Sequence, residues 1–132
     1  MKHTALILCL LFLASCSSAS KEDAAMISRP FSSVDSNRTI VLAPNRSFEI
    51  VLPSNPTTGF DWSLHVDNPS VVKNISHKFK ADFSGRVGVP GITTWSLRTS
   101  GTGEAKLLFS YKRAWEKETA PARVETFTIS VR

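Results

Sequence analysis

The sequence predicts an all-β fold, an antiparallel β-sandwich, and three observations carry that prediction. From Thr39 to the end, apolar residues alternate with polar ones at period two, in short runs about a dozen residues apart. Turn-forming pairs separate the runs. No stretch of this region shows the 3.6-residue apolar period of an amphipathic helix.

The runs follow in order. Thr39-Ile40-Val41-Leu42 is separated from Phe48/Ile50/Leu52 by the turn signal Pro44-Asn45. Next come Trp62/Leu64/Val66, then Val71-Val72 after Asn68-Pro69, then Ile75/His77/Phe79. A glycine-rich stretch leads to Thr93/Trp95/Leu97/Thr99, and Gly101-Thr102-Gly103 leads to Ala105/Leu107/Phe109/Tyr111. Phe127/Ile129/Val131 closes the chain. The alternation puts Trp62 and Trp95 in the core. With no cysteine pair in this region, an antibody-type disulfide is excluded, whereas an immunoglobulin-like sandwich remains open.

The beginning of the chain has a different character. Met1-Lys2-His3 is a basic start, and Ala5 to Ala14 is nearly all apolar but too short for the roughly 20 residues that a bilayer span needs. An export signal is therefore expected over residues 1–15. The run ends in Leu13-Ala14-Ser15-Cys16, which resembles the lipobox of bacterial lipoproteins, where cleavage precedes a cysteine that is acylated. The resemblance implies an exported protein, lipid-anchored to a bacterial membrane through Cys16. Ser17 in place of aspartate after the cysteine resembles the outer-membrane sorting pattern of enteric-type bacteria.

Such cleavage would take 15 of the 132 residues and leave 117, with 15 Lys+Arg against 11 Asp+Glu, a net charge of +4. That length is one domain. The remaining cysteine, Cys9, lies in the signal, so the domain has no thiolate for catalysis, metal binding or a disulfide. Residues Ser17 to Ser28 are small and polar without period, which reads as a tether. The expected organisation is signal 1–15, acylated cysteine and tether 16–34, and a β-sandwich domain 35–132. A monomer without cofactors is expected.

The composition and motifs argue against several functions. The basic residues Arg29, Arg38, Arg46, Lys73, Lys78, Lys80, Arg86 and Arg98 are scattered rather than grouped with stacking aromatics, so nucleic acid is not an expected partner. Beyond the signal the histidines are His65 and His77, which have no nucleophile beside them in a recognisable motif and no metal-ligand spacing. Gly85-Arg86-Val87-Gly88-Val89-Pro90-Gly91 lacks the Lys-Ser/Thr ending of a phosphate-binding loop. An enzyme is not expected.

Three loop segments stand out instead. Ser54-Asn55-Pro56-Thr57-Thr58-Gly59-Phe60 lies between two strand patterns. Pro56 fixes its own φ and biases Asn55 to extended geometry, and Gly59 can take a positive φ, so the loop should be stiff. Gly85 to Gly91 is the second segment. The third, Lys112-Arg113-Ala114-Trp115-Glu116, places arginine and tryptophan, residue types enriched at binding hot spots, beyond the end of a strand.

These segments resemble, in order, the motifs of the chagasin family of protein inhibitors of papain-like cysteine proteases. That family carries an Asn-Pro-Thr-Thr-Gly-aromatic loop, a Gly-x-x-Gly-type loop and an Arg-Pro-Trp loop. Here they correspond to Asn55-Pro56-Thr57-Thr58-Gly59-Phe60, Gly88-Val89-Pro90-Gly91 and Arg113-Ala114-Trp115, with Ala114 in place of proline. The resemblance covers about Asp35 to Arg132. It implies an immunoglobulin-like sandwich with the three loops side by side at one end, forming a wedge that plugs a protease cleft. Thr57, Thr58 and Gly59 would then sit over the catalytic cysteine and histidine. Gly88 to Gly91, and Arg113 with Trp115, would grip the flanks, and inhibition would be reversible and competitive. The alternative is a membrane-anchored adhesion or scaffold module of the same fold without inhibitory activity.

Overall fold

The structure, a computed structural model, describes residues 29–81 and 90–132. The signal, Cys16, most of the tether, and Gly88 and Val89 of the second loop lie outside the described residues.

Among the described residues seven strands form two sheets: β1 (Thr39–Leu42), β2 (Ser47–Ser54), β3 (Phe60–Val66), β4 (Val72–Ala81), β5 (Gly91–Thr99), β6 (Gly103–Arg113) and β7 (Arg123–Val131). One sheet has the order β1-β7-β6-β3 and the other β2-β5-β4. The neighbours run antiparallel in every pair except β1 and β7, which are parallel. This is the expected sandwich. Asn45 closes the turn between β1 and β2 at φ 58, the left-handed geometry that asparagine tolerates better than most residues.

The period-two runs bury as their pattern dictates. Phe48, Ile50 and Leu52 from β2, and Trp95 and Leu97 from β5, face Leu107 and Phe109 of β6 and Phe127 and Ile129 of β7 across the core. Trp62 and Trp95 are both buried. Phe109 meets Trp95 and Phe127 edge-on at 5.4 and 5.7 Å, the arrangement that aromatic quadrupoles prefer. The buried Thr99 is satisfied: its hydroxyl donates to the Ala43 carbonyl at 2.8 Å and accepts from the Arg46 amide at 2.8 Å.

Two features depart from the sequence reading. Ile75, His77 and Phe79 alternate on β4 yet are exposed, Ile75 by 61%. β4 is an edge strand with a register shift between Asn74 and Ser76, and its residues 73–80 are exposed. The domain also begins before residue 35. Phe31, within the 16–34 expected to be acylated cysteine and tether, is buried in the core at 6.2 Å from Phe48. Its amide donates to the Glu49 carbonyl and its carbonyl accepts from the Val51 amide, each at 2.8 Å, so it extends the β2 edge of the three-stranded sheet. A 3-10 turn, Ser33–Asp35, follows, in which the Asp35 carboxylate accepts from the Ser32 amide at 3.0 Å and from Arg29 at 3.0 and 3.2 Å. The Arg29 guanidinium holds the Asp35 carboxyl below its ordinary value, against the opposing effect of burial.

Candidate functional site

Strand register places the bases of three loops at one end of the sandwich. The first joins the end of β2 to the start of β3, and the second joins Ala81 to Gly91. The third runs from Arg113 to Arg123. Ser54 pairs with Gly91, Gly91 with Ala81, and Phe60 with Arg113, so each loop springs from a residue paired to the base of another.

The first loop is a single 3-10 turn, Pro56–Thr58, with proline at the position where its missing N–H costs nothing. The Thr58 amide donates to the Asn55 carbonyl at 3.3 Å and the Gly59 amide to the Pro56 carbonyl at 3.0 Å. Both threonine hydroxyls turn back into the loop: Thr57 Oγ1 donates to Asn55 Oδ1 at 2.6 Å and Thr58 Oγ1 to the Asn55 carbonyl at 2.7 Å. Gly59 ends the turn at φ 81, ψ −6. Pro56, Thr57 and Thr58 are exposed at its crest.

Beneath the crest lies an aromatic and cationic stack. Phe60 lies against Tyr111 at 5.3 Å on one side, and the Arg113 guanidinium covers its ring at 4.4 Å. Tyr111 also meets Trp62 at 4.8 Å, and its hydroxyl accepts from the Asn55 amide at 2.9 Å. The Trp62 indole donates to the Pro53 carbonyl at 2.8 Å. Phe60 thus folds inward and supports the loop.

The third loop closes onto the first. Arg113 Nε donates to the Thr58 carbonyl at 3.1 Å, and its other arm pairs with Glu116 at 3.1 Å. The Glu116 amide donates to the Arg113 carbonyl at 3.2 Å, which makes Arg113 to Glu116 a β-turn with Ala114 at its second position. Proline favours that position, but the turn does not require it. Trp115, 66% exposed, lays its six-membered ring over Gly59: a Cβ there would collide with Cη2 and lie 3.1 Å from Cζ2 and Cζ3.

The structure therefore joins Asn55, Pro56, Thr57, Thr58, Gly59, Phe60, Arg113 and Trp115 in one unit and sets Pro90 and Gly91 at the base beside it. Glu116, part of the third segment, and Tyr111, read from sequence only as a strand residue, belong to the same unit. Tyr111 ends an apolar alternation, and its polar tip at the loop end of a strand was the available signal. His65 and His77 lie elsewhere, both exposed, His65 paired with Leu108 and His77 stacked on Trp95 at 4.3 Å. Among the described residues no cluster of His, Cys, Asp or Glu could hold a metal ion.

Comparison with known proteins points the same way. The profile of the chagasin family peptidase inhibitor I42 matches residues 41–131. Amoebiasin-1 of Entamoeba histolytica is 32% identical over 98 residues, which cover 74% of this chain and 91% of that protein. The crystal structure of EhICP2, a cysteine protease inhibitor from the same organism, superposes with a TM-score of 0.73 at 27% identity, covering 81% of this chain and 97% of the other. PbICP-C, solved in complex with falcipain-2, shares the fold at a TM-score of 0.53 and 17% identity, covering 81% of this chain and 97% of the other.

Proposed function

Because the chain belongs to the chagasin family of peptidase inhibitors, we propose that it is a reversible, competitive inhibitor of papain-like cysteine proteases. In this reading its three loops form a wedge that fills the active-site cleft. The observation that carries it is the closure of Trp115 and Arg113 onto Gly59 and Thr58, which makes two loops of separate sequence origin into one preorganised surface. The resemblance of EhICP2, a cysteine protease inhibitor, supports the choice of target class.

The crest Thr57-Thr58-Gly59 faces the catalytic cysteine and histidine of the target, with Asn55, Pro56 and Phe60 holding it up. Arg113 and Trp115 meet one flank of the cleft, and Gly88, Val89, Pro90 and Gly91 the other. A 3-10 turn with its hydroxyls engaged offers the nucleophile a curved backbone rather than an extended peptide, so the inhibitor occupies the site without being cleaved. Little loop entropy is lost on binding, and affinity benefits accordingly. The protein itself contributes no catalysis.

Export, acylation of Cys16 and attachment to a bacterial membrane, with sorting to the outer membrane, complete the proposal on the strength of the Leu13-Ala14-Ser15-Cys16 motif. The domain acts as a monomer. The test is titration of papain and cathepsin L-like enzymes with the unacylated domain. Inhibition at nanomolar to low micromolar concentration is expected, weakened by Thr57→Ala, Thr58→Ala or Trp115→Ala with little change in melting temperature. No inhibition of several such enzymes at tens of micromolar would favour the scaffold module instead.

A further inference from the structure

The two outer faces of the sandwich differ in charge. On the four-stranded sheet, Ala105, Leu107 and Phe109 point inward, so Glu104, Lys106 and Lys112 point outward with Asp61, which pairs with Lys112. Two cations and two anions cancel. On the three-stranded sheet, the buried Thr93, Trp95, Leu97 and Thr99 leave Ile92, Thr94, Ser96 and Arg98 outward. Register then assigns Lys73 (opposite Arg98), Lys78 (opposite Thr94) and Lys80 (opposite Ile92) to the same outer face, together with Glu49 (opposite Ser96). Four cations face one anion. All four are exposed, and among the described residues none is ion-paired.

Two further features belong to this face. Ile92, 41% exposed, sits in it between Lys80 on β4 and Pro53 on β2, an apolar point among cations, as in surfaces that settle at a lipid interface. Phe31 pairs along the free edge of β2, so residues 1–28 join the domain at an edge of this same sheet. Residues Ser17 to Ser28 reach at most about 40 Å when extended, which confines a domain anchored at Cys16 to the neighbourhood of the bilayer.

We propose that the outer face of the three-stranded sheet, through Lys73, Lys78, Lys80, Arg98 and Ile92, docks on the anionic surface of the membrane that holds the anchor. The proposal rests on the anchored reading given above. Four surface cations bind anionic lipid weakly and in a salt-dependent way, but a tether that holds the face nearby raises its effective concentration and makes weak contact sufficient. With the sheet lying flat, the loop end points along the membrane rather than away from it. A protease would be met at the bilayer surface.

The test uses the chain from Ser17 onward, which retains every element of the sandwich and lacks the acylated cysteine. It should sediment with phosphatidylcholine vesicles containing about one-third phosphatidylglycerol at low salt, and binding should fall at least about tenfold at ~0.5 M salt. Lys78→Glu with Lys80→Glu should weaken binding about tenfold or more, whereas Lys106→Glu with Lys112→Glu on the opposite face should not. Equal binding to pure phosphatidylcholine, no binding to either vesicle, or equal loss in both double variants overturns the proposal. So does a Lys78/Lys80 variant that binds vesicles normally but inhibits papain less, since the face would then belong to the protease. Acylation is read separately by mass spectrometry of membrane-extracted protein: an unacylated Cys16 removes the anchor while vesicle binding still supports the face.

Discussion

Trp115 lies so closely over Gly59 that no side chain fits between them. The contact joins the crest of the first loop to the tip of the third, and it needs both the missing Cβ and the positive φ of Gly59. Gly59→Ala violates both conditions. The variant should lose about 1–2 kcal/mol of stability from the left-handed backbone alone and should displace Trp115. Papain inhibition is expected to weaken more than tenfold, by more than the fall in melting temperature suggests, as an inhibition titration paired with a thermal melt would show.

Tyr111→Phe tests the support beneath the loop. The ring and its contacts with Phe60 and Trp62 remain, but the Asn55 amide loses its acceptor. A loss of roughly 0.5–1.5 kcal/mol is expected, measurable by chemical denaturation. Faster hydrogen exchange at the Asn55 amide would locate the effect, and unchanged exchange there would refute this role.

Arg113→Lys should behave as a large change despite the retained charge. A lysine cannot donate to the Thr58 carbonyl, pair with Glu116 and cover Phe60 at once, as the planar guanidinium does. Weaker inhibition with a folded, slightly less stable domain is expected. Inhibition equal to wild type would show that the bridge to Thr58 is dispensable.

Outside the loops, Asp35 makes stability depend on pH. Its folded pKa lies below the unfolded one because Arg29 and the Ser32 amide favour the carboxylate. Its contribution is therefore full above the ordinary aspartate range and is lost as pH falls through the folded value. Asp35→Asn should be less stable than wild type at neutral pH, and the gap should narrow on acidification towards pH ~3. Denaturation curves across that range give the sign directly.

Phe31→Ala tests where the domain begins. Removing a buried phenyl ring that packs on Phe48 should cost about 3 kcal/mol or more. Equal stability of the Phe31 variant and wild type would return residues 29–34 to the tether.

Phe31 escaped the sequence reading because it is one apolar residue between Pro30 and Ser32, and periodicity needs at least two repeats to register. The β4 alternation failed for the opposite reason. Ile75/His77/Phe79 has the right period, but period reports which residues share a face and not whether anything covers it. Strands such as β2, β5 and β7 were legible because the facing sheet enforces burial at each second position. In the loops, local backbone chemistry was legible: proline and glycine in the first loop mark a turn whatever surrounds them. The partners arriving from distant sequence, Tyr111 under Asn55 and Arg113 on the Thr58 carbonyl, follow from register between β3 and β6, which turns on neither side announce.

The parallel pairing of β1 with β7 sets the timing of folding. β7, the last strand of the chain, lies between the first strand and β6 in its sheet. The four-stranded sheet is therefore incomplete until residues 123–131 are available, and joining β1 to it needs loop closure across nearly the whole domain. A chain that stops short of Arg123 lacks the strand that joins β1 to β6, and its four-stranded sheet cannot close.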